Sequence, residues 1–196
     1  KALMQFATQS NIPVASTLLG LSAFPTNHPL YVGMLGMHGN YGANMLVNEA
    51  DVIIAIGMRF DDRVTGNLAR YAKQAKIIHI EIDEAEINKN VDVDVALLCD
   101  AKIALEALCK LIKSNQHANW IEKFKLLNTL EYEKIISQEI HSSSKEIKMA
   151  EAVEQLSKQT NGEAILVTDV GQHQMIAARY YQFKYPNSHI TSGGLG

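Results

Sequence analysis

Asp51-Val52-Ile53-Ile54-Ala55-Ile56-Gly57-Met58-Arg59-Phe60-Asp61-Asp62-Arg63-Val64-Thr65-Gly66 joins an apolar, largely β-branched run to a loop with four charged side chains. A run of this kind ending in glycine predicts a central parallel strand buried on both faces. Loops leaving the carboxyl ends of such strands are where open α/β sheets place their ligands. Arg59 and Arg63 offer forked donors suited to phosphate or carboxylate. Asp61 and Asp62 keep the loop from being simply cationic. A solvated turn with local ion pairs would use the same residues, so the stretch points to a fold class and leaves the use of its loop open.

Working outward, strand-like runs recur at 12–16, 51–56, 76–82 and 95–98. Helical patterns separate several of them, so the fold class is α/β, a doubly wound parallel sheet covered on both faces. Residues 44–50 form a short helix candidate. Residues 101–113 form a clear one, with Ile103, Ala104, Ala107, Leu108, Leu111 and Ile112 at helical spacing and Asp100 placed to cap it. The charged segment 118–140 reads as helix, with a break near Asn128 and an apolar stripe through Trp120, Ile121, Phe124, Leu127, Leu130, Ile135 and Ile136. Serines then interrupt the pattern, marking 141–147 as a linker between a domain at 1–140 and a second α/β unit beginning at 148. That unit reads as helix 149–158, strand 163–168, a helix opening at Asp169-Val170-Gly171, and a strand at 189–191. Because no helix follows the last strand, the second unit is expected to be truncated and the chain to be a fragment.

Composition narrows the function class. Hydrophobic residues at 47% and charged residues at 20% describe an ordinary globular chain. The 18 basic and 21 acidic residues give a net charge of −3, which offers nucleic acid no footprint. The longest apolar run, Val52 to Met58, is far below the ~20 residues of a membrane span, and the start has no signal-peptide pattern. Cys99 and Cys109 do not have metal-site spacing, so buried reduced thiols and a cytoplasmic location are expected.

Three further loops could carry chemistry. Gly33, Gly36, Gly39 and Gly42 recur every third residue, and such a loop lets a ligand approach the backbone, with His38 as a potential hydrogen-bonding group. A flexible structural loop is the alternative. Glu81 lies 24 residues after Gly57 at the end of the next strand. Dinucleotide folds place a ribose-binding acid near that distance, although the G-x-G-x-x-G fingerprint is missing and Asp83 reads equally as a helix cap. Asp169 to Met175 follows a strand and opens a helix, where backbone amides suit a diphosphate oxygen or form an ordinary turn.

In order, GMLGMHG at 33–39, GMRFDDRVTG at 57–66, HIEIDEAEINKN at 79–90, TDVGQHQM at 168–175 and SGGLG at 192–196 closely resemble the large catalytic subunits of acetolactate synthases, thiamine-diphosphate enzymes of branched-chain amino acid synthesis. The resemblance implies a central FAD-binding domain at 1–140 and the start of the thiamine-diphosphate-binding domain at 148–196. It assigns FAD contacts to Thr17, Leu18, Leu35, Gly36, Met37, His38, Gly57, Arg59, Asp61, Arg63, Val64, Glu81, Ile82, Glu86 and Asp100. Arg63 is also the contact expected for the carboxylate of the second keto acid. Thiamine-diphosphate contacts fall on Val170, Gly171, Gln172, His173 and Gly196. No catalytic residue and no metal ligand is assigned within the chain, and the Mg2+ site is expected outside it. Ile176 stands where many relatives carry Trp, and Glu81 replaces a common Asp.

The implied reaction decarboxylates pyruvate and joins the two-carbon unit to pyruvate or 2-oxobutanoate. FAD undergoes no net redox change in it. A homodimer or higher homo-oligomer is implied, with a regulatory small subunit as an optional partner, and neither nucleic acid nor membrane. The fragment alone is expected to be inactive. Alternatives are a non-catalytic FAD or nucleotide-binding module, or another FAD-containing relative such as glyoxylate carboligase or pyruvate oxidase; the FDDRVTG loop argues against these last two.

Overall fold

The computed structural model describes residues 1–141, 143 and 146–193. In chain order the first half contains helix α1 (Ala2–Ser10), strands β1 (Val14–Ser16) and β2 (Tyr31–Met34), helix α2 (Tyr41–Leu46), strand β3 (Val52–Ile56), one-turn helix α3 (Asp62–Thr65), and strands β4 (Lys76–Glu81) and β5 (Val95–Leu98). Helices α4 (Ala101–Leu111), α5 (Ala118–Glu131), α6 (Ser137–Ile140) and α7 (Met149–Gln159) follow, then strand β6 (Leu166–Thr168), helix α8 (Gln172–Tyr180) and strand β7 (His189–Thr191). All strand pairings among the described residues are parallel, and they form three sheets, β1-β2, β3-β4-β5 and β6-β7. The expected α/β class with parallel pairing is therefore present. The expected run at 12–16 pairs with β2 and is not part of the β3-β4-β5 sheet.

The chain divides into two compact units, one of Lys1–Ile12 with Asn44–His117 and one of Pro13–Ala43 with Ala118–Gly196. In the first unit, β3 and β4 pair in register from Val52↔Lys76 to Ile56↔Ile80, and β4 pairs β5 from Ile78↔Val95 to Glu81↔Leu98. Alternation sends successive residues to opposite faces. Ile54 and Ile56 pack with Phe6 of α1 and with Leu105 and Cys109 of α4, whereas Ala55 and Ile77 pack with Phe60, Tyr71 and Ala72. Side chains thus pack on both faces of β3 and β4. The strand expected at the centre, β3, nevertheless stands at an edge of this sheet with β4 in the middle, and β5 is largely exposed. Gln9 fastens the helical layer, since its Nε2 donates to the Cys109 and Ile112 carbonyls at 3.0 Å each and satisfies acceptors at the end of α4. Asp100 caps the start of α4, accepting from the Lys102 and Ile103 amides at 2.8 and 3.2 Å. Both thiols are free; Cys109 is buried, but Cys99 is only half-buried because it follows the exposed end of β5.

The second unit has its own core of Leu21, Met34, Ala178, Tyr181 and Phe183, against which Val153 and Leu166 pack. Tyr181 serves both apolar and polar needs. Its ring joins the core while its hydroxyl bonds Thr160 Oγ1 at 2.8 Å and accepts from the Ala164 amide at 3.1 Å. The segment 118–140 is helical throughout, but its irregularity is a π segment at Tyr132–Ile136 and not a break near Asn128. The extra residue of the π turn also disrupts the expected stripe, leaving Ile135 exposed while Phe124 is buried. Within the expected linker 141–147, residues Ser142, Ser144 and Lys145 lie outside the described residues.

Candidate cofactor-binding site

Parallel pairing places the carboxyl ends of β3, β4 and β5 on one edge. Gly57, Arg59, Asp61, Arg63 and Val64 follow β3, Glu81 ends β4 and Ile82 follows it, Glu86 lies in the short turn beyond, and Asp100 follows β5. The Gly57 amide donates to the Ile80 carbonyl at 2.9 Å, next to Glu81. Gly57 has φ +59 with no atom within 4 Å of where a Cβ would stand, so the backbone conformation favours glycine there, and the space beside it is open.

Asp61 starts α3 by accepting from the Arg63 amide at 3.0 Å. Arg59 and Arg63 lie 3.6 and 4.0 Å from Asp61 and Asp62 respectively, with their side chains 64% and 73% exposed. Exposed pairs at these distances are worth little, so both guanidinium groups can exchange their partner for an anion. The loop is anchored from below. Phe60 is buried at φ +53, and its ring meets Tyr71 and His79 edge-on. His79, fully buried, bonds the Met58 carbonyl through Nε2 at 2.9 Å, which puts the proton on Nε2.

The acids behave differently from one another. Glu81 folds back on its own backbone, its Oε1 accepting from the Ile82 and Asp83 amides at 2.8 and 3.3 Å, while its Oε2 lies 3.9 Å from Nε2 of the buried His79. Glu86 pairs with Lys89 through Oε1 at 2.7 Å, while its Oε2 is buried without a partner. Asp83 caps the short turn at Glu84–Glu86. Ile82 is exposed, and Asp100 is occupied as the cap of α4. Two exposed cations, an open glycine and carboxylates gathered on one sheet edge suit a ligand that carries both phosphate and hydroxyl groups.

The remaining assigned residues belong to the second unit. Thr17 and Leu18 leave β1, and Leu35, Gly36, Met37 and His38 leave β2, again at the carboxyl edge of a parallel pair. The turn is tight: a Cβ on Gly39 would stand 2.2 Å from the Met34 carbonyl oxygen. Met37 and His38 are exposed at its tip. Near β6, Val170, Gly171, Gln172 and His173 form the turn into α8, and the first helical amides lack intrahelical acceptors by construction. Asp169 Oδ1 accepts from the Val170 amide at 2.7 Å and from Ser192 Oγ at 3.1 Å. Gln174 Nε2 donates to Thr191 Oγ1 at 2.7 Å and to the Gly193 carbonyl at 2.8 Å. These bonds bring 168–175 and 192–193 together. Gly196 lies outside the described residues.

Sequence reasoning missed the polar groups beneath these loops. His79 reads as one more strand residue, Glu131 as the charged side of a helix, and Arg179 as a helix-end cation. Glu131 immediately precedes the π turn and follows Leu127 by one helical turn, a position that would have signalled an inward-facing acid. Among the described residues no group of three or more His, Cys, Asp or Glu side chains could hold a metal, and no helix is long and apolar enough to cross a membrane.

The family described as thiamine pyrophosphate enzyme, central domain, matches residues 1–108. The chain is 44% identical over 191 residues to the acetolactate synthase large subunit of Buchnera aphidicola subsp. Schizaphis graminum, covering 97% of this chain and 33% of that protein. It is 42% identical over 196 residues to acetolactate synthase isozyme 3 large subunit of Escherichia coli (strain K12), with 95% and 33% covered. It is 44% identical over 195 residues to acetolactate synthase 2, chloroplastic, of Nicotiana tabacum, with 99% and 29% covered. The chain thus spans about a third of the length of these relatives. With more than half of its residues matched by the central domain and nearly all of them aligned with large-subunit relatives, the chain belongs to the thiamine pyrophosphate enzyme family.

Proposed function

We propose that this chain is part of a biosynthetic acetolactate synthase, with 1–140 as its FAD-binding module, 141–147 as a linker and 148–196 as the opening of its thiamine-diphosphate module. The complete enzyme decarboxylates pyruvate and condenses the two-carbon unit with pyruvate or 2-oxobutanoate. It acts as a homodimer or higher homo-oligomer in the cytoplasm, with a regulatory small subunit as an optional partner. The observation that carries this reading is the gathering of Gly57, Arg59, Arg63, Glu81 and Glu86 on one carboxyl edge of a parallel sheet, within a chain more than 40% identical to acetolactate synthases.

Each residue's role follows from its chemistry. Arg59 and Arg63 hold the FAD diphosphate, and the carboxylates of Glu81 and Glu86, once turned toward the ligand, accept from ribose hydroxyls. Arg63 is also long and exposed enough to meet the carboxylate of the second keto acid. The amides of the Gly171 turn orient the diphosphate of thiamine diphosphate. When bound, that cofactor supplies the electron sink for decarboxylation, and Mg2+ is held by residues outside this chain.

The test is purification and optical analysis. The protein is expected to carry flavin absorbance, and replacing Arg59 and Arg63 together by Gln should lower flavin affinity on the order of tenfold or more, as expected for losing charged hydrogen bonds. Residues 1–196 by themselves should form no acetolactate from pyruvate, in contrast to the complete enzyme. Flavin retained undiminished by the double variant would refute the diphosphate assignment, and turnover by residues 1–196 would refute the division of labour.

A further inference from the structure

Glu131 ends α5, and its side chain is 3% exposed; Arg179, in the last turn of α8, is 19% exposed. A carboxylate so deeply buried is costly unless its oxygens are matched. Here they are. Glu131 Oε1 accepts from the Arg179 guanidinium and from the Tyr41 amide at 3.0 Å, and Oε2 accepts from Asn40 Nδ2 at 3.4 Å. The other terminal nitrogen of Arg179 donates to the carbonyls of Gly39 at 2.8 Å and His38 at 3.4 Å. One ion pair therefore grips four consecutive residues, His38 to Tyr41. Asn40 extends the grip by accepting from the Met34 amide at 2.9 Å, which closes the turn onto the end of β2.

A pair serving only to join two helices would not need these backbone contacts. Instead the fork of Arg179 is spent on carbonyls of a loop whose tip, Met37 and His38, is exposed. The same helix begins at the Gly171 turn, so loop and turn are held to one rigid rod of nine residues. The helix carrying Glu131 leaves α geometry at the next residue, through the π segment Tyr132–Ile136, a distortion frequent at functional sites.

We propose that Glu131 and Arg179 are positioning residues for the cofactor loop Leu35–His38, fixing its backbone so that the tip meets the flavin in one conformation. The inference rests on the FAD reading of that loop. A lysine at 179 keeps the charge but cannot serve carboxylate and two carbonyls through a planar fork. A glutamine at 131 keeps the shape and removes the charge.

The experiment compares the complete, FAD-loaded protein with its E131Q and R179K variants. The readouts are the flavin dissociation constant, the visible circular dichroism of bound flavin, and the thiamine-diphosphate affinity. Each variant is expected to raise the flavin dissociation constant roughly tenfold, as for one hydrogen bond to a charged group, and to change the flavin dichroism. Thiamine-diphosphate affinity should stay the same, because the Gly171 turn keeps its own ties through Asp169 and Gln174. Should a single variant fail to fold, the double variant E131Q/R179Q, which buries no unpaired charge, should fold and bind flavin as weakly. Unchanged flavin affinity and dichroism in the folded variants would overturn the inference alone. Absence of flavin from the unmodified protein would overturn the FAD reading and the inference with it.

Discussion

Tyr71 isolates what a single polar atom contributes. Its ring lies edge-on to Phe60 at 6.2 Å between centroids, while its hydroxyl is buried without a partner among the described residues. Burial pushes the phenol's pKa up to about 12, so it stays protonated over any working range. An unmatched buried hydroxyl opposes folding, whereas the ring favours it. Tyr71→Phe should therefore leave stability unchanged or raise it by about 1 kcal/mol, measured by urea denaturation. A loss of stability would mean that the hydroxyl is matched in solution. At this scale the sequence was a fair guide to the candidate site where position alone mattered: Gly57 to Val64 and Glu81 share an edge because parallel strands end together. It failed for Glu131 and Arg179, which lie 48 positions apart and reveal their pairing only when α5 and α8 pack.

Elements were legible wherever local chemistry determined them. Strands β3 and β4 were recognisable from β-branched runs, β5 from a short apolar run, and α4 from its spacing and its cap at Asp100. Strand β2 escaped because Gly33 disguises four residues as the start of a glycine loop. Helix α1 escaped because its apolar residues fit no single clear stripe, and its anchor, Gln9, binds a segment 100 positions away. The cap itself gives a test. Asp100 was assigned to FAD by resemblance, yet its carboxylate accepts two helix amides. Asp100→Ala should destabilise the protein by about 1 kcal/mol, and Asp100→Ser should recover most of that loss, because serine keeps the acceptor without the charge. Equal losses in both variants, measured by urea denaturation, would show that the charge matters more than the cap.

Across the whole molecule, pH couples burial to stability through His189. The histidine stands on β7 with its ring 5.1 Å from that of Phe183, and its Nε2 is buried without a partner. Desolvation holds its imidazole below the ordinary value, only partly opposed by a hydrogen bond to the Leu18 backbone. In the unfolded chain the same group takes up its proton near pH 6.5, so acidification below that point favours unfolding until the folded form protonates as well. The contribution is thus complete above about pH 6.5 and lost as pH falls through the folded value. Asp94 is also held below its usual value, chiefly by its hydrogen bond from Lys76, but it titrates in a more acidic range and leaves this window to histidine. The urea midpoint should fall between pH 7.5 and pH 5.5, and His189→Gln should flatten that slope. Because the chain is neutral near pH 6.2, association must be kept apart from unfolding by working with dilute protein and checking that refolding is reversible. If the glutamine variant loses stability with pH as steeply as the parent, the dependence arises from other groups and His189 is not its source.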